Sequence, residues 1–250
     1  MKDFAHRGFS GMYPENTLLA FEMACHVEGC DGIELDVHLS KDGEVVIIHD
    51  ETLERTCVDG KGWVKDHTLE ELRRYDASYR WAGQCERQRI PTLREYFDLV
   101  RQRDIVTNIE LKTGVLEYPG IEERTLEIIR AYGMEEKVII SSFNHHSVLR
   151  FKRLAPEIEC GLLSDVWMID AGAYVQRAGV GCYHPIFNNM TDEHVADLRA
   201  HGIKINVWTV DEEEDVREMW RVGVDAIIGN FPDRAAKVIA ALEAERVPCG

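Results

Sequence analysis

Along nearly the whole 250-residue chain, short apolar runs alternate with stretches whose apolar residues recur at helical spacing. The runs Phe4–His6, Gly32–Val37, Val45–His49, Ile105–Leu111, Val138–Ser142, Cys160–Leu163, Val180–Tyr183, Ile203–Val210 and Ala226–Ile228 predict strands. Between them, Thr17–Val27, Thr92–Val100, Glu122–Tyr132, His145–Leu154, Asp192–His201, Glu212–Arg221 and Asp233–Glu245 predict helices. In the first of these, Leu18, Phe21, Ala24 and Cys25 fall on one face. Thr92 with Glu95 three residues on forms a capping-box pattern, and Thr191 and Asp211 are further cap candidates. Gly133, Gly202 and Gly223 stand where helices stop. Val45–His49 reads as an extra strand that returns from Glu34–Val37 through Lys41-Asp42-Gly43. Eight strands then remain. They predict an α/β fold, a (β/α)8 barrel over residues 1–250, rather than an open doubly wound sheet, for which no G-x-G-x-x-G loop speaks.

The rhythm breaks between about 51 and 90. That stretch is polar, carries Gly60, Gly62, Gly83, Trp63, Tyr75, Tyr79 and Trp81, and is expected to be a small insertion on the active-site face. The net charge of −16 disfavours nucleic acid and anionic membranes as partners, so any phosphate ligand needs a local source of positive charge. The seven cysteines, Cys25, Cys30, Cys57, Cys85, Cys160, Cys182 and Cys249, are scattered and lack a C-x-x-C pair, which predicts free thiols in a reducing compartment. The N-terminus lacks the apolar run of a signal peptide, and no stretch is apolar for long enough to span a membrane. A cytoplasmic protein is expected; its oligomeric state is left open.

In a barrel, chemistry sits at the C-terminal ends of the strands. Strand side chains alternate faces, so Ile33, Leu35 and Val37 are expected to face the helices while Glu34 and Asp36 point inward. In Ile109-Glu110-Leu111-Lys112 the same alternation turns Glu110 and Lys112 inward. Converging carboxylates are costly unless compensated. Glu34, Asp36 and Glu110 therefore form either a divalent-cation site, of Mg²⁺ or Ca²⁺ type with Mn²⁺ admissible, or a salt-bridge network with Lys112 or Arg7. His6 ends the first strand and His49 the hairpin strand. A lone histidine in such a place is commonly structural, but two beside inward acids suit a proton-accepting and proton-donating pair. Arg7 and Lys112 would supply the positive charge for a phosphate.

His6-Arg7-Gly8, Pro14-Glu15-Asn16-Thr17, Glu34-Leu35-Asp36-Val37, His49-Asp50 and Glu110-x-Lys112 resemble, in this order, the signature of the glycerophosphodiester phosphodiesterases. Ser141-Ser142-Phe143-Asn144, Val207-Trp208-Thr209-Val210 and Gly229-Asn230-Phe231-Pro232-Asp233 extend the resemblance over nearly the whole chain. It implies a (β/α)8 barrel, a small-molecule glycerophosphodiester substrate and a divalent cation on Glu34, Asp36 and Glu110. It also implies His6 and His49 as the acid–base pair, and Arg7 and Lys112 on the phosphate. Glu15 and Asn16 would be supports, and Phe143 and Trp208 part of the wall around the glycerol or leaving alcohol. The expected reaction is metal-dependent hydrolysis to glycerol 3-phosphate and an alcohol through a cyclic phosphate.

Other polar residues are expected to play lesser parts. His145 and His146 are placed in a cap or surface role, His38 as a partly exposed residue at a strand end, and His184 in a loop. Asn206 shares a face with Trp208. The run Asp211–Asp215 is expected to be a solvated helix start. Met12 and Tyr13 line the pocket mouth or fill a turn. Two competing functions are a lipase acting on intact lipids, which needs an exposed apolar rim, and a phosphodiester-binding sensor, which would have a damaged histidine pair or acidic triad.

Overall fold

The computed structural model describes residues 1–246; Cys249 lies outside them. Eight parallel strands close into a barrel in the order β1 (Lys2–His6), β2 (Gly32–Leu39), β4 (Val106–Leu111), β5 (Val138–Ser142), β6 (Glu159–Ser164), β7 (Cys182–Pro185), β8 (Lys204–Trp208) and β9 (Ala226–Gly229). The β1–β2 and β1–β9 pairings complete the circle. The short β3 (Val45–Ile47) runs antiparallel to residues 37–39 of β2, at the barrel's C-terminal end.

Eight helices follow the strands: α1 (Leu18–Cys25), α3 (Leu93–Val100), α4 (Ile121–Tyr132), α5 (His145–Leu154), α6 (Ala171–Ala178), α7 (Asp192–Ala200), α8 (Glu213–Val222) and α9 (Pro232–Arg246). One turn of helix, α2 (Leu69–Leu72), lies in the segment between β3 and α3.

The strand alternation does what the pattern predicts. Ala5, Ile33, Leu35, Val37, Ile109, Leu111, Ile140, Leu162, Ile205, Val207 and Ile227 join the helices in one continuous apolar layer. The alternate residues turn inward, and several of them are polar and carry the site. A second, smaller cluster holds Val46, Ile48, Leu53, Val64, Leu72 and Ile90 together, so residues 48–90 pack on a core of their own. Thr92 and Glu95 make the predicted capping box, and the Thr191 hydroxyl accepts from the His194 amide.

The structure departs from the sequence pattern at several places. Helix α6 escaped the apolar periodicity because its inward face is built from small residues. Ala171 and Gly172 are buried there, and a Cβ on Gly172 would stand 2.4 Å from His201 Nδ1. Strand β7 runs later than Val180–Tyr183, because Pro185 is its last residue, where the absent N–H costs nothing. His184 is accordingly a fully buried strand residue, not a loop residue; its Nε2 accepts from Asn206 Nδ2 (3.0 Å) inside the barrel. His38 is also fully buried, because β2 continues through it and β3 covers it. Its ring lies between the Tyr118 hydroxyl (2.9 Å) and the His49 carbonyl (3.1 Å). Asp211 caps no helix, since the α8 cap is Glu212.

Asp3, on the outward face of β1, is a fully buried carboxyl, and neither of its oxygens has a hydrogen-bond partner among the described residues. Burial, with Asp31 and Asp233 nearby, pushes its pKa well above the ordinary carboxylate value. A raised folded-state pKa means that the stabilising contribution is present below the unfolded pKa, near ~3.9, and is lost as pH rises through the folded value. Asp3→Asn is therefore expected to raise the thermal unfolding midpoint more at about pH 8 than at about pH 4. Calorimetry at the two pH values checks this; equal shifts would contradict it.

Candidate active site

Strand β1 ends in a bend that aims two consecutive side chains at the barrel mouth. Arg7 takes a left-handed backbone (φ 55°) and Gly8 follows at φ 76°, where a Cβ would stand 2.7 Å from the Ala20 carbonyl carbon. The bend turns the Arg7 amide onto Glu34 Oε2 (3.0 Å). It also brings Arg7 Nη1 to Glu15 (2.9 Å) and Arg7 Nε to within 3.5 Å of Asp36 Oδ2.

Glu34, Asp36 and Glu110 converge as expected: one oxygen from each lies within 4.8 Å of the other two; the Glu34 and Asp36 side chains are buried and that of Glu110 nearly so. Burial and the charges of Asp36 and Glu110 push Glu34 well above its ordinary pKa, against the pull of Arg7. Glu110 is raised too, by burial and Asp36, although Lys112 opposes this. Asp36 goes the other way. Burial would raise it, but Lys112, His49, Arg7 and the Asn16 amide together hold it well below the carboxylate range. Lys112 Nζ sits 2.9 Å from Glu110 and 3.6 Å from Asp36, and Asn16 Nδ2 donates to Asp36 Oδ2 at 2.8 Å.

Two cations thus face three carboxylates. The salt-bridge alternative is realised in part, but it leaves one negative charge over and a buried Asp36 Oδ1 with no hydrogen bond. That residue of charge, on hard oxygen donors alone, fits a divalent cation.

The histidines are held by different partners. Asn230 Nδ2 and its backbone N–H both donate to Asp211 (2.7 Å each), which leaves Asn230 Oδ1 as an acceptor. The His6 Nδ1–H donates to it at 2.7 Å, so the Nε2 lone pair of the neutral ring is free. Burial, then Arg7, pushes the His6 pKa down to about 3, although the Asn230 bond opposes this. His49 Nδ1–H donates to Asp50 Oδ1 (2.6 Å), and Lys112 Nζ approaches His49 Nε2 at 3.1 Å. Asp50 is held in turn by Arg55, through Nε at 2.8 Å and Nη2 at 2.7 Å. Arg55 also forks onto Glu15 (2.8 and 2.7 Å), so Glu15 joins Arg7 to the support of His49.

Phe143 and Trp208 meet edge to face with centroids 5.5 Å apart, and Trp208 Nε1 donates to the His184 carbonyl (2.9 Å). They line a small inner cavity of about 80 Å³ with His6, Arg7, Glu34, His49, Asn108, Glu110 and Ser141. Asn108 Oδ1 and Ser141 Oγ are buried in its wall without hydrogen-bond partners among the described residues. A larger outer cavity of about 560 Å³ meets it at His6 and Arg7.

The structure thus brings together His6, His49, Arg7, Lys112, Glu15, Asn16, Glu34, Asp36, Glu110, Phe143 and Trp208. It leaves His146 exposed on α5. His145 makes no cap, because Asn144 is the cap; its ring lies between the Tyr174 hydroxyl and the Leu163 carbonyl (2.8 Å each). Sequence reasoning missed Arg55, which joins Asp50 to the distant Glu15, Arg80, whose partner Ser10 is 70 residues away, and Asp211, whose charge falls within an acidic run.

The model of the Glycerophosphoryl diester phosphodiesterase family matches residues 6–234. A glycerophosphodiester phosphodiesterase of Caldanaerobacter subterraneus is 44% identical over 94% of this chain and 96% of its own length. One from Bacillus altitudinis is 45% identical, with coverages of 95% and 97%. The structure of an Oleispira antarctica phosphodiesterase in complex with the product sn-glycerol-3-phosphate superposes with a TM-score of 0.87 at 30% identity, covering 96% of this chain and 97% of that one. The barrel, the ordered motifs and these matches agree: the chain belongs to the glycerophosphoryl diester phosphodiesterase family.

Proposed function

We propose that the protein hydrolyses glycerophosphodiesters to glycerol 3-phosphate and an alcohol, with His6 and His49 as the acid–base pair. The observation that carries this reading is the convergence of two differently supported imidazoles, two half-buried cations and three carboxylates, two of them buried, on one mouth of the barrel. Arg7 and Lys112 bind the phosphate oxygens. Phe143 and Trp208 hold the glycerol carbons, and Asn108 Oδ1 and Ser141 Oγ are free to meet its hydroxyls.

One histidine takes the proton of a glycerol hydroxyl, whose oxygen forms a bond to phosphorus and closes a cyclic phosphate. The bond from phosphorus to the leaving alcohol breaks, and the other histidine protonates that alcohol. Water then opens the ring with the proton transfers reversed, giving glycerol phosphate. Asp50 and Asn230 keep each ring in the tautomer that turns Nε2 towards the cavity, and Glu15 and Asn16 hold Arg7 and Asp36 in place. Glu34, Asp36 and Glu110 hold one divalent cation, Mg²⁺ or Ca²⁺ with Mn²⁺ as a substitute. When bound, it supplies neutralisation of the charge on the phosphate oxygens. Residues 51–90 form an elaboration of a single barrel domain, contributing Arg55 to the site and Arg80 and Trp81 to its rim. No helix among the described residues is long and apolar enough to cross a membrane. The cysteines of the described residues are free, which fits a reducing, cytoplasmic setting.

A second reading, action on a lipid that keeps an acyl chain, is favoured by one observation. In the loop after β6, Val166, Trp167 and Ile169 are exposed, Ile169 at 88%. Asp165 and Asp170 flank them and oppose docking on an anionic surface.

Glycerol 3-phosphate release from glycerophosphodiesters, followed by a coupled assay against the corresponding diacyl lipids, tests the reaction; preference for the lipids would replace it with the second reading. His6→Ala and His49→Ala are each expected to lower kcat by roughly 10²–10⁴-fold with an unchanged unfolding midpoint. Near-normal turnover in either variant would remove that histidine from the chemistry. Titration of the apoprotein with Mn²⁺, read by electron paramagnetic resonance, is expected to show one tight site that Asp36→Asn and Glu110→Gln weaken; an affinity indifferent to both would place the ion elsewhere.

A further inference from the structure

The two cavities divide the substrate between them. They share His6 and Arg7, so a phosphodiester bound there extends one arm into each. The inner cavity, closed by Phe143 and Trp208, has room for a three-carbon polyol. The outer cavity is about seven times larger (560 against 80 Å³) and is walled on one side by Arg80, Trp81 and Gln84 from the segment after β3. The leaving alcohol of the proposed reaction therefore lies in the outer cavity.

The charge of that cavity is lopsided. Arg7 and Glu15 face each other at 2.9 Å, and Arg55 gives Glu15 a second guanidinium, so both Glu15 oxygens are already engaged by arginine. Arg80 has no carboxylate partner among the described residues. Its Nη2 donates only to the Ser10 carbonyl at 3.2 Å, and its guanidinium lies 5.8 Å from the Tyr79 ring centre and 5.5 Å from that of Trp81. The other aromatic wall, Phe231, is likewise covered, by Arg234 at 4.4 Å. A cationic head group finds each aromatic wall of the cavity already facing a guanidinium, and meets the unmatched Arg80 as well.

Resting on the functional reading above, we infer that the outer cavity is a leaving-group subsite that selects alcohols bearing an anionic group, with Arg80 as the contact that reads the charge. The class of substrate is a glycerophosphodiester whose second alcohol carries a further phosphate or carboxylate. Choline and ethanolamine esters are the disfavoured members.

The test compares kcat/KM for glycerophosphoinositol 4-phosphate, glycerophosphoglycerol and glycerophosphocholine on the metal-loaded full-length protein at low ionic strength. The expected order is anionic, neutral, cationic, with the extremes separated by roughly tenfold or more, the scale of one well-placed charge pair. The ratio should shrink as salt is added. Arg80→Gln is expected to flatten it and Arg80→Glu to invert it. Arg80 is exposed, so neither change disturbs the core, and unchanged unfolding midpoints verify that. A wild-type preference for the choline ester, or a ratio that ignores Arg80→Glu, overturns this inference while leaving the hydrolase reading intact. Absence of turnover on all three diesters by folded, metal-loaded protein overturns both.

Discussion

Three carboxylates buried at one end of a barrel set the terms for everything around them. Within 4.8 Å of one another, ionised groups would repel pairwise by at least about 3 kcal/mol even with an effective dielectric constant near 20. The fold answers with fixed positive charge. Lys112 continues the inward face of β4, one alternation beyond Glu110, so the strand that delivers the charge also delivers its counter-ion. Arg7 reaches the cluster only because the chain bends through a left-handed residue at the end of β1. That bend costs on the order of 1–3 kcal/mol, and the hydrogen bonds to Glu34 and Glu15 offset it. The uneven pKa shifts, Asp36 down and Glu34 up, show where the compensation is complete and where it is not.

The same cluster explains why so much of the surrounding structure is devoted to orientation. His6 is fixed by a relay across the β1–β9 seam, from Asp211 to Asn230 to the imidazole, so closure of the barrel and placement of the ring are one event. His49 is fixed from the other side by Asp50, and Asp50 by Arg55, whose second partner is the Glu15 that also holds Arg7. Glu15 therefore couples Arg7 to the support of the second histidine. A change at Glu15 removes a contact from Arg7 and from Arg55 together.

How legible this was depends on the range over which each feature is determined. The inward placing of Glu34, Asp36, Glu110 and Lys112 follows from a period of two within single strands, and it was readable. The cap at Thr92 follows from residues three apart. His184 and His38 were misplaced because their burial depends on neighbours in space: Asn206 for one, and β3 and Tyr118 for the other. Asp211 looked like one more charge at a helix start, and only the approach of Asn230 from 19 residues on gives it a different role. Helix α6 was silent because its buried face has Ala171 and Gly172 beside a single larger residue, Val175, too little for an apolar stripe. Arg55 joins Asp50, five residues back, to Glu15, 40 residues back, and Arg80 finds Ser10 70 residues away, through a segment whose path no local pattern encodes.

A chain of net charge −16 that takes an anionic substrate is consistent once the distances are compared. Exposed charges are screened over roughly 8 Å at physiological salt, so the acidic exterior governs partners as large as nucleic acids and membranes. Inside the cavities the field is set by groups within one or two side-chain lengths: Arg7 and Arg80 line the walls, and Lys112 stands behind them against Glu110 and Asp36. The acids closest to the reacting centre are already spoken for, by arginine, by lysine or by the cation their geometry accommodates. In the proposed reaction the phosphate meets the cations of the site, while the net negative charge of the chain disfavours larger polyanions.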